Sequence, residues 1–305
     1  MIYTITLNPS IDYIVRLDKL TSGITNRTTS EEYYYGGKGI NVSMVLAELD
    51  LDSTAYGFVA GFTGKAIENG IRNDHIITDF IKLKHGISRI NIKIKAGEET
   101  EINCQGPHID ETELERLLQK IDRIASGDTL ILAGSIPNTM PDDVYERMME
   151  RIKFKDVRIV VDATKKLLVN SLKYHPFLIK PNRQELSEIF NVEVKTEDDI
   201  EKYAKELQKM GARNVLISLG GDGAMLIDEN GGKHKAGVLK EKVVNTVGSG
   251  DSMVAGFVAG YIKTGDYAYA LKLGSVCGNA TAFMAGLATK EKINELLEKF
   301  EKQFG

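Results

Sequence analysis

From about residue 130 the chain alternates short, wholly apolar runs with amphipathic segments, and that alternation constrains its fold more than any other feature. The runs Leu130–Ala133, Val157–Val161, Phe177–Ile179 and Asn214–Ser218 read as strands. Between them lie Pro141–Ile152, which opens with a proline and two aspartates, and Thr196–Met210, which is closed by Gly211. Acidic residues early and a glycine late are the punctuation of helices. Strands that are apolar throughout and separated by helices imply a parallel sheet covered on both faces. Ile2–Leu7 and Thr54–Val59 carry the pattern into the first half. The expected class is α/β, a doubly wound, mainly parallel sheet with helices on both faces. No repeat, low-complexity tract or Pro/Gly/Ser linker divides the chain, so residues 1–305 are expected to form one domain.

One region departs from this pattern. Ile90, Ile92 and Ile94 alternate with Arg89, Asn91, Lys93 and Lys95, and Ala-Gly-Glu-Glu then turns into Thr100–Asn103. Period-two alternation marks a hairpin with one polar face. Tyr13–Leu17 and Glu31–Tyr35 have the same character. Together they are expected to form a small lid sheet, inserted at about 12–35 and 87–104, although added edge strands of the main sheet would fit the pattern too.

Charge and composition narrow the function. A formal net charge of −4 provides no basic field for nucleic acid. The start, Met-Ile-Tyr-Thr-Ile-Thr-Leu-Asn-Pro, lacks the basic-then-apolar pattern of a signal peptide. The longest uncharged stretch, Leu273–Ala288, is too short and too polar for a membrane span and reads as a buried helix. Cys104 and Cys277 are the only cysteines, without metal-ligand spacing, which suits a reducing cytoplasm. The expectation is a cytoplasmic protein with neither membrane nor nucleic-acid partner.

In an open parallel sheet, ligands bind beyond the carboxyl ends of the strands. Unusual residues recur there: Gly134-Ser135-Ile136-Pro137, Asp162-Ala163-Thr164, Lys180-Pro181-Asn182 and Gly220-Gly221-Asp222-Gly223. The sharpest signal is Asn245-Thr246-Val247-Gly248-Ser249-Gly250-Asp251, which runs into a helix of small and apolar residues. Its glycines are expected to leave the 248–251 amides free to converge on an anion at the helix start. Asp251 would compete with that anion if it were only a cap, but would serve as a proton acceptor beside a transferring phosphoryl group. Gly36-Gly37-Lys38-Gly39-Ile40-Asn41 is the second signal, a turn allowing close approach to a hydroxylated ligand before a helix starting at Val42. Neither a Walker P-loop nor a dinucleotide fingerprint occurs.

Thr6-Leu7-Asn8-Pro9 with Asp12, the GGKGIN turn and the GSGD turn resemble the ribokinase-like (PfkB) carbohydrate kinases, from the first strand to about residue 290. Asn26-Arg27, Gly61-Phe62-Thr63-Gly64, Ser88–Asn91, Thr100–Asn103 with Gly106-Pro107, and Ala133–Pro137 resemble the 1-phosphofructokinase branch most, with tagatose-6-phosphate kinases as runner-up. The resemblance implies a ribokinase-like fold and ATP-dependent phosphorylation of a ketohexose phosphate, fructose 1-phosphate first, with Mg2+ as cofactor. It makes Asp251 the base and the amides of Gly248, Ser249 and Gly250 the anion hole. Asp12, Gly37, Lys38, Asn41 and Ser135 would hold the sugar, and Arg89 its existing phosphate, helped by Lys38. Lys180, Asn182, Ser218, Leu219, Gly220, Gly221, Asp222, Gly223, Gly250 and Asn279 would line the nucleotide. Glu185, in Asn182-Arg183-Gln184-Glu185, would govern the magnesium through water. The Asp162–Lys165 loop lacks the Ser-Gly pair often seen there and is given no role. A catalytically idle sugar- or nucleotide-binding regulator is the alternative of another class, and the intact Asp251, its glycines and Glu185 weigh against it. A lid with an apolar face is expected to bury it against a second copy, giving a homodimer.

Overall fold

The structure, a computed structural model, describes residues 1–304. In chain order its elements are β1 (Ile2–Thr6), β2 (Ser10–Arg16), β3 (Ser30–Gly36), α1 (Lys38–Glu48), β4 (Ser53–Ala60), α2 (Gly61–Ile71), β5 (Ile76–Thr78), β6 (Ile81–Leu83), β7 (Arg89–Ala96), β8 (Glu98–Ile102), α3 (Glu111–Ile121), β9 (Thr129–Ala133) and α4 (Val144–Ile152). The second half continues with β10 (Arg158–Asp162), α5 (Lys165–Ser171), β11 (Leu178–Ile179), α6 (Arg183–Phe190), α7 (Glu197–Lys209), β12 (Asn214–Ser218), β13 (Ala224–Ile227), β14 (Lys233–Ala236), α8 (Ser249–Thr264), α9 (Tyr267–Ala282) and α10 (Lys290–Phe304).

The main sheet runs β14-β13-β12-β11-β10-β9-β1-β4-β5, with β6 also on β4. Every pairing from β12 to β5 is parallel, and β13 and β14 close one edge antiparallel. Successive residues of a strand point to opposite faces, and β9 shows the consequence. Leu130 and Leu132 join a core cluster with α3, α4 and α7, while Ile131 and Ala133 join another with α1, α8, α9 and α10. Both faces are therefore buried, which is why the strands carry unbroken apolar runs.

Helix limits follow local chemistry. At α7 the Thr196 side chain accepts from the Asp199 amide while Asp199 reaches back to the Thr196 amide, a reciprocal capping box. The expected helix over Pro141–Ile152 begins only at Val144, because residues 141–143 form a turn closed by the Val144 amide on the Pro141 carbonyl at 3.3 Å. The buried stretch expected over Leu273–Ala288 is α9 only as far as Ala282. Among the described residues no helix is long and apolar enough to cross a membrane.

The lid strands do not extend the main sheet. They form a separate four-stranded sheet in the order β3-β2-β7-β8. Its register aligns Ser10 with Arg89 and Asp12 with both Tyr34 and Asn91, so these share one face. Ile11, Tyr13, Tyr33, Ile90 and Ile92 fall on the other. The base of that apolar face, at Ile11 and Tyr35, packs on α1, α2 and β4. Farther out, Tyr13, Tyr33 and Ile102 are exposed.

Candidate active site

β1, β9, β10 and β11 end side by side, and the loops beyond them surround a cleft of about 440 Å3. Asp12, Gly37, Lys38, Asn41, Arg89, Ser135, Lys180, Gly248, Gly250 and Asp251 all line it. Residues more than 200 apart in sequence thus meet at one edge of one sheet.

Gly37 sets the geometry of the first wall. Its φ is 121°, and a Cβ there would stand 2.4 Å from Thr6 Cγ2, so only glycine fits. The helix begins directly after it, at Lys38 rather than at Val42, with the Asn41 amide bonded to the Gly37 carbonyl at 2.9 Å. Lys38 and Asn41 therefore project from the first turn of α1, three residues apart and on one side of the helix.

The centre of the site is Asp162, at the end of β10 and only 2% exposed. Its carboxylate takes Lys38 Nζ at 3.2 Å and Lys180 Nζ at 3.3 Å, one lysine on each oxygen. The sequence reading gave this loop no role; the structure corrects that. Burial pushes the Asp162 carboxyl up, yet the two ammonium groups outweigh it and hold it below the usual carboxylate range. Burial works against the charge on Lys38, and Asp162, followed by Asp251, raises it above the ordinary lysine value. Its place at a strand end was visible in the sequence but its pairing was not, because the partners that give it meaning lie 124 and 18 residues away.

Asp251 behaves differently. It sits in the first turn of α8, 5% exposed, and its Oδ2 accepts from Asn41 Nδ2 at 2.7 Å. Burial, aided by the negative charge of Asp162, raises its pKa to about 6, against the pull of Lys38 and the Asn41 bond. The Ser252 amide makes the first helical bond, to the Gly248 carbonyl at 2.8 Å, which leaves the Gly250 and Asp251 amides without an acceptor inside the helix. The Ser249 amide is not free as expected: it donates to the Thr246 carbonyl at 3.2 Å. Lys180 stands at the same turn, its Nζ 3.1 Å from where a Gly250 Cβ would be.

A second cleft, of about 330 Å3, meets the first at Gly250, which lines both. Asn182, Ser218, Gly220, Gly221, Gly223, Ser249 and Asn279 line it, as do the apolar Val243, Met253 and Phe283. Ser249 Oγ, Ser275 Oγ and Asn279 Nδ2 are buried in its walls without a hydrogen-bond partner. Ser275 was missed from sequence, since a serine in a Gly/Ala/Ser-rich helix reads as close packing. Leu219 and Asp222 do not line this cleft. Leu219 packs against the core beneath, and Asp222 turns outward to pair with Arg183 at 2.8 Å. Both shape the turn whose glycines face the cleft.

Glu185 is engaged at its own helix start. Its Oε2 accepts the Asn182 amide at 2.8 Å and the Asn182 side chain accepts the Glu185 amide, so Asn-x-x-Glu here is a capping box. Oε1 remains for other use. Among the described residues no three His, Cys, Asp or Glu side chains come together as a metal cluster.

The lid supplies the roof. Asp12 Oδ1 accepts from Ser10 Oγ at 2.9 Å and from Asn91 Nδ2 at 2.8 Å. Arg89 spends only its Nε on the Asn8 carbonyl, at 3.1 Å, and burial lowers its pKa, so its guanidinium is poorly compensated and suited to an anion.

The sequence pattern of the pfkB family carbohydrate kinases matches residues 5–293. The chain belongs to that family. It is 44% identical to the 1-phosphofructokinase of Bacillus subtilis (strain 168) over 297 residues, covering 97% of each chain. It is 41% identical to the D-tagatose-1-phosphate kinase of Bacillus licheniformis over 302 residues, 99% of each. Among solved structures, phosphofructokinase-2 from Escherichia coli in complex with substrates and products superposes with a TM-score of 0.92 at 26% identity, over 98% of this chain and 99% of that one. In this pfkB kinase the expected ribokinase-like fold is thus borne out, as is a sugar kinase's phosphotransferase chemistry.

Proposed function

We propose that this kinase transfers the γ-phosphoryl group of ATP to the 6-hydroxyl of fructose 1-phosphate, giving fructose 1,6-bisphosphate, with Asp251 as the base. One observation carries the reading: a buried carboxylate of raised pKa sits at the glycine turn where two clefts meet. The 440 Å3 cleft, polar and roofed by Arg89, suits a sugar phosphate. The 330 Å3 cleft, with apolar walls and a glycine-rich floor, suits a nucleotide.

In this mechanism Arg89 holds the substrate's phosphate as a bidentate partner. Asp12, Asn41, Ser135 and the backbone around Gly37 engage the sugar hydroxyls and turn the 6-hydroxyl toward Asp251. As that oxygen bonds to the γ-phosphorus and the bond to the ADP oxygen breaks, the hydroxyl proton passes to Asp251. The Gly250 and Asp251 amides and the Lys180 ammonium meet the charge on the transferring group. Asp162 keeps Lys38 charged and aims both Lys38 and Lys180. Magnesium would neutralise charge on the nucleotide's phosphates, and Glu185 Oε1 would help hold it through water.

The two cited relatives are named for 1-phosphate substrates, which supports a phosphate at C1 over one at C6. Tagatose differs from fructose only in the configuration at C4, so D-tagatose 1-phosphate is the second reading, supported by the relative at 41% identity. The exposed Tyr13, Tyr33 and Ile102 support a homodimer formed through the lid. We place the protein in the cytoplasm on the strength of its free, unpaired cysteines. The deciding experiment is kcat/KM measured side by side for fructose 1-phosphate, tagatose 1-phosphate, fructose 6-phosphate and tagatose 6-phosphate. A preference for either 6-phosphate would overturn the substrate assignment, and no turnover of any would overturn the kinase reading.

A further inference from the structure

Tyr145, on α4, is fully buried and bulky, yet its hydroxyl is not idle. It donates to the Gly134 carbonyl at 3.0 Å. The Gly134 amide donates to the Asp162 carbonyl at 3.1 Å, so this peptide segment is held on both sides. Gly134 has φ 104°, a conformation that side chains rarely adopt, and from it the chain turns so that Ser135 faces the sugar cleft. The same glycine backs the stem of Lys38: a Cβ there would lie 3.8 Å from Lys38 Cβ. Tyr145 does not line the cleft itself. Burial, with the Asp162 charge nearby, raises its pKa, so the phenol keeps the proton it donates.

We propose that Tyr145 is a positioning residue for the sugar phosphate, acting through Gly134 on Ser135 and on the Lys38 stem. A loop in a left-handed conformation has few local bonds to hold it, and here one side-chain hydroxyl fixes the carbonyl from behind. Freed of that bond, the 134–137 loop shifts by fractions of an ångström, enough to misplace a hydroxyl contact and weaken binding of the correct sugar. Gly134 and Ser135 line the sugar cleft and not the second one, so binding of ATP should be little affected.

The inference rests on the kinase reading above, so the test begins with the wild-type enzyme and whichever ketohexose phosphate it turns over best; absence of any turnover would count against that reading and not against Tyr145. Tyr145→Phe, Ser135→Ala and the double variant are then compared by KM for sugar phosphate, KM for ATP and kcat. Tyr145→Phe is expected to raise the sugar-phosphate KM by about three- to tenfold while KM for ATP stays within twofold. Because the Ser135 hydroxyl is one of the two groups through which Tyr145 acts, the double variant should lose less than the two single losses combined, a departure from additivity that a merely structural tyrosine would not give. A fall in melting temperature with an unchanged sugar KM, or strictly additive losses, would overturn the proposal. Should Tyr145→Phe fold poorly, Tyr145→Met would remove the same hydroxyl without overfilling the buried site, and direct calorimetric binding of the sugar phosphate to folded protein would read the same difference.

Discussion

The Asn41 side-chain amide donates to the Asp251 carboxylate at 2.7 Å, joining the first turn of α1 to the first turn of α8 across 210 residues of chain. The bond stabilises the ionised carboxylate and opposes the burial that raises its pKa. A base works only when deprotonated, so wild-type kcat/KM for the sugar phosphate should fall about tenfold per pH unit below about pH 6. Asn41→Leu removes the opposing bond. Its acid limb should move to higher pH, with kcat/KM at neutral pH reduced about tenfold or more, as read from pH profiles of the two enzymes. An unshifted limb would detach Asn41 from the titration of Asp251.

Asp251→Asn should lower kcat by at least about a hundredfold, the usual worth of a positioned base, with KM for ATP little changed. The same variant should be more stable than wild type at pH 7–8. The folded-state pKa of Asp251, about 6, lies above the ordinary aspartate value of 3.8, so the protonated form favours folding below that lower value and the benefit is lost as pH rises through 6. Asparagine removes the penalty of a buried carboxylate, on the order of 2–3 kcal/mol by the linkage relation. Thermal unfolding at pH 4 and pH 8 would check the sign: the advantage should shrink at the lower pH.

Asp162→Asn leaves Lys38 and the buried Lys180 without their shared partner. Breaking a buried ion pair from one side costs about 3–5 kcal/mol, so the melting temperature should drop clearly. The variant also removes the negative charge that helps raise Asp251. Its acid limb should therefore move to lower pH, opposite to that of Asn41→Leu. Residual activity whose pH profile matched wild type would remove Asp162 from the electrostatics of the base.

Arg89→Ala should raise KM for the sugar phosphate tenfold or more and leave KM for ATP nearly unchanged, as expected for loss of a charge-assisted contact worth about 1.5–3 kcal/mol. Initial-rate measurements with each substrate varied in turn decide it. Equal effects on both constants would mean that Arg89 supports the lid rather than the phosphate.

Local chemistry explains what was legible without coordinates. Strand Asn214–Ser218 has the limits its apolar run suggested, and α7 starts after the threonine cap and ends before the glycine that bracket it. The lid hairpin falls on the alternating isoleucines. Such signals are complete within a few residues, because side-chain period and capping depend on near neighbours alone. The glycine turn that opens α8 was legible for the same reason. What only the tertiary structure decided are properties that need a distant partner. Helix α1 starts four residues earlier than its sequence suggested because Gly37 takes a conformation set by Thr6 behind it. Asn-x-x-Glu has one oxygen engaged at its own helix start. Asp162 looked like a loop residue until β9, β10 and β11, ending side by side, brought Lys38 and Lys180 to its two oxygens. The charge of a carboxylate is written in the sequence; whether it binds lysines or takes up a proton depends on how much water folding leaves around it and which charges folding brings near.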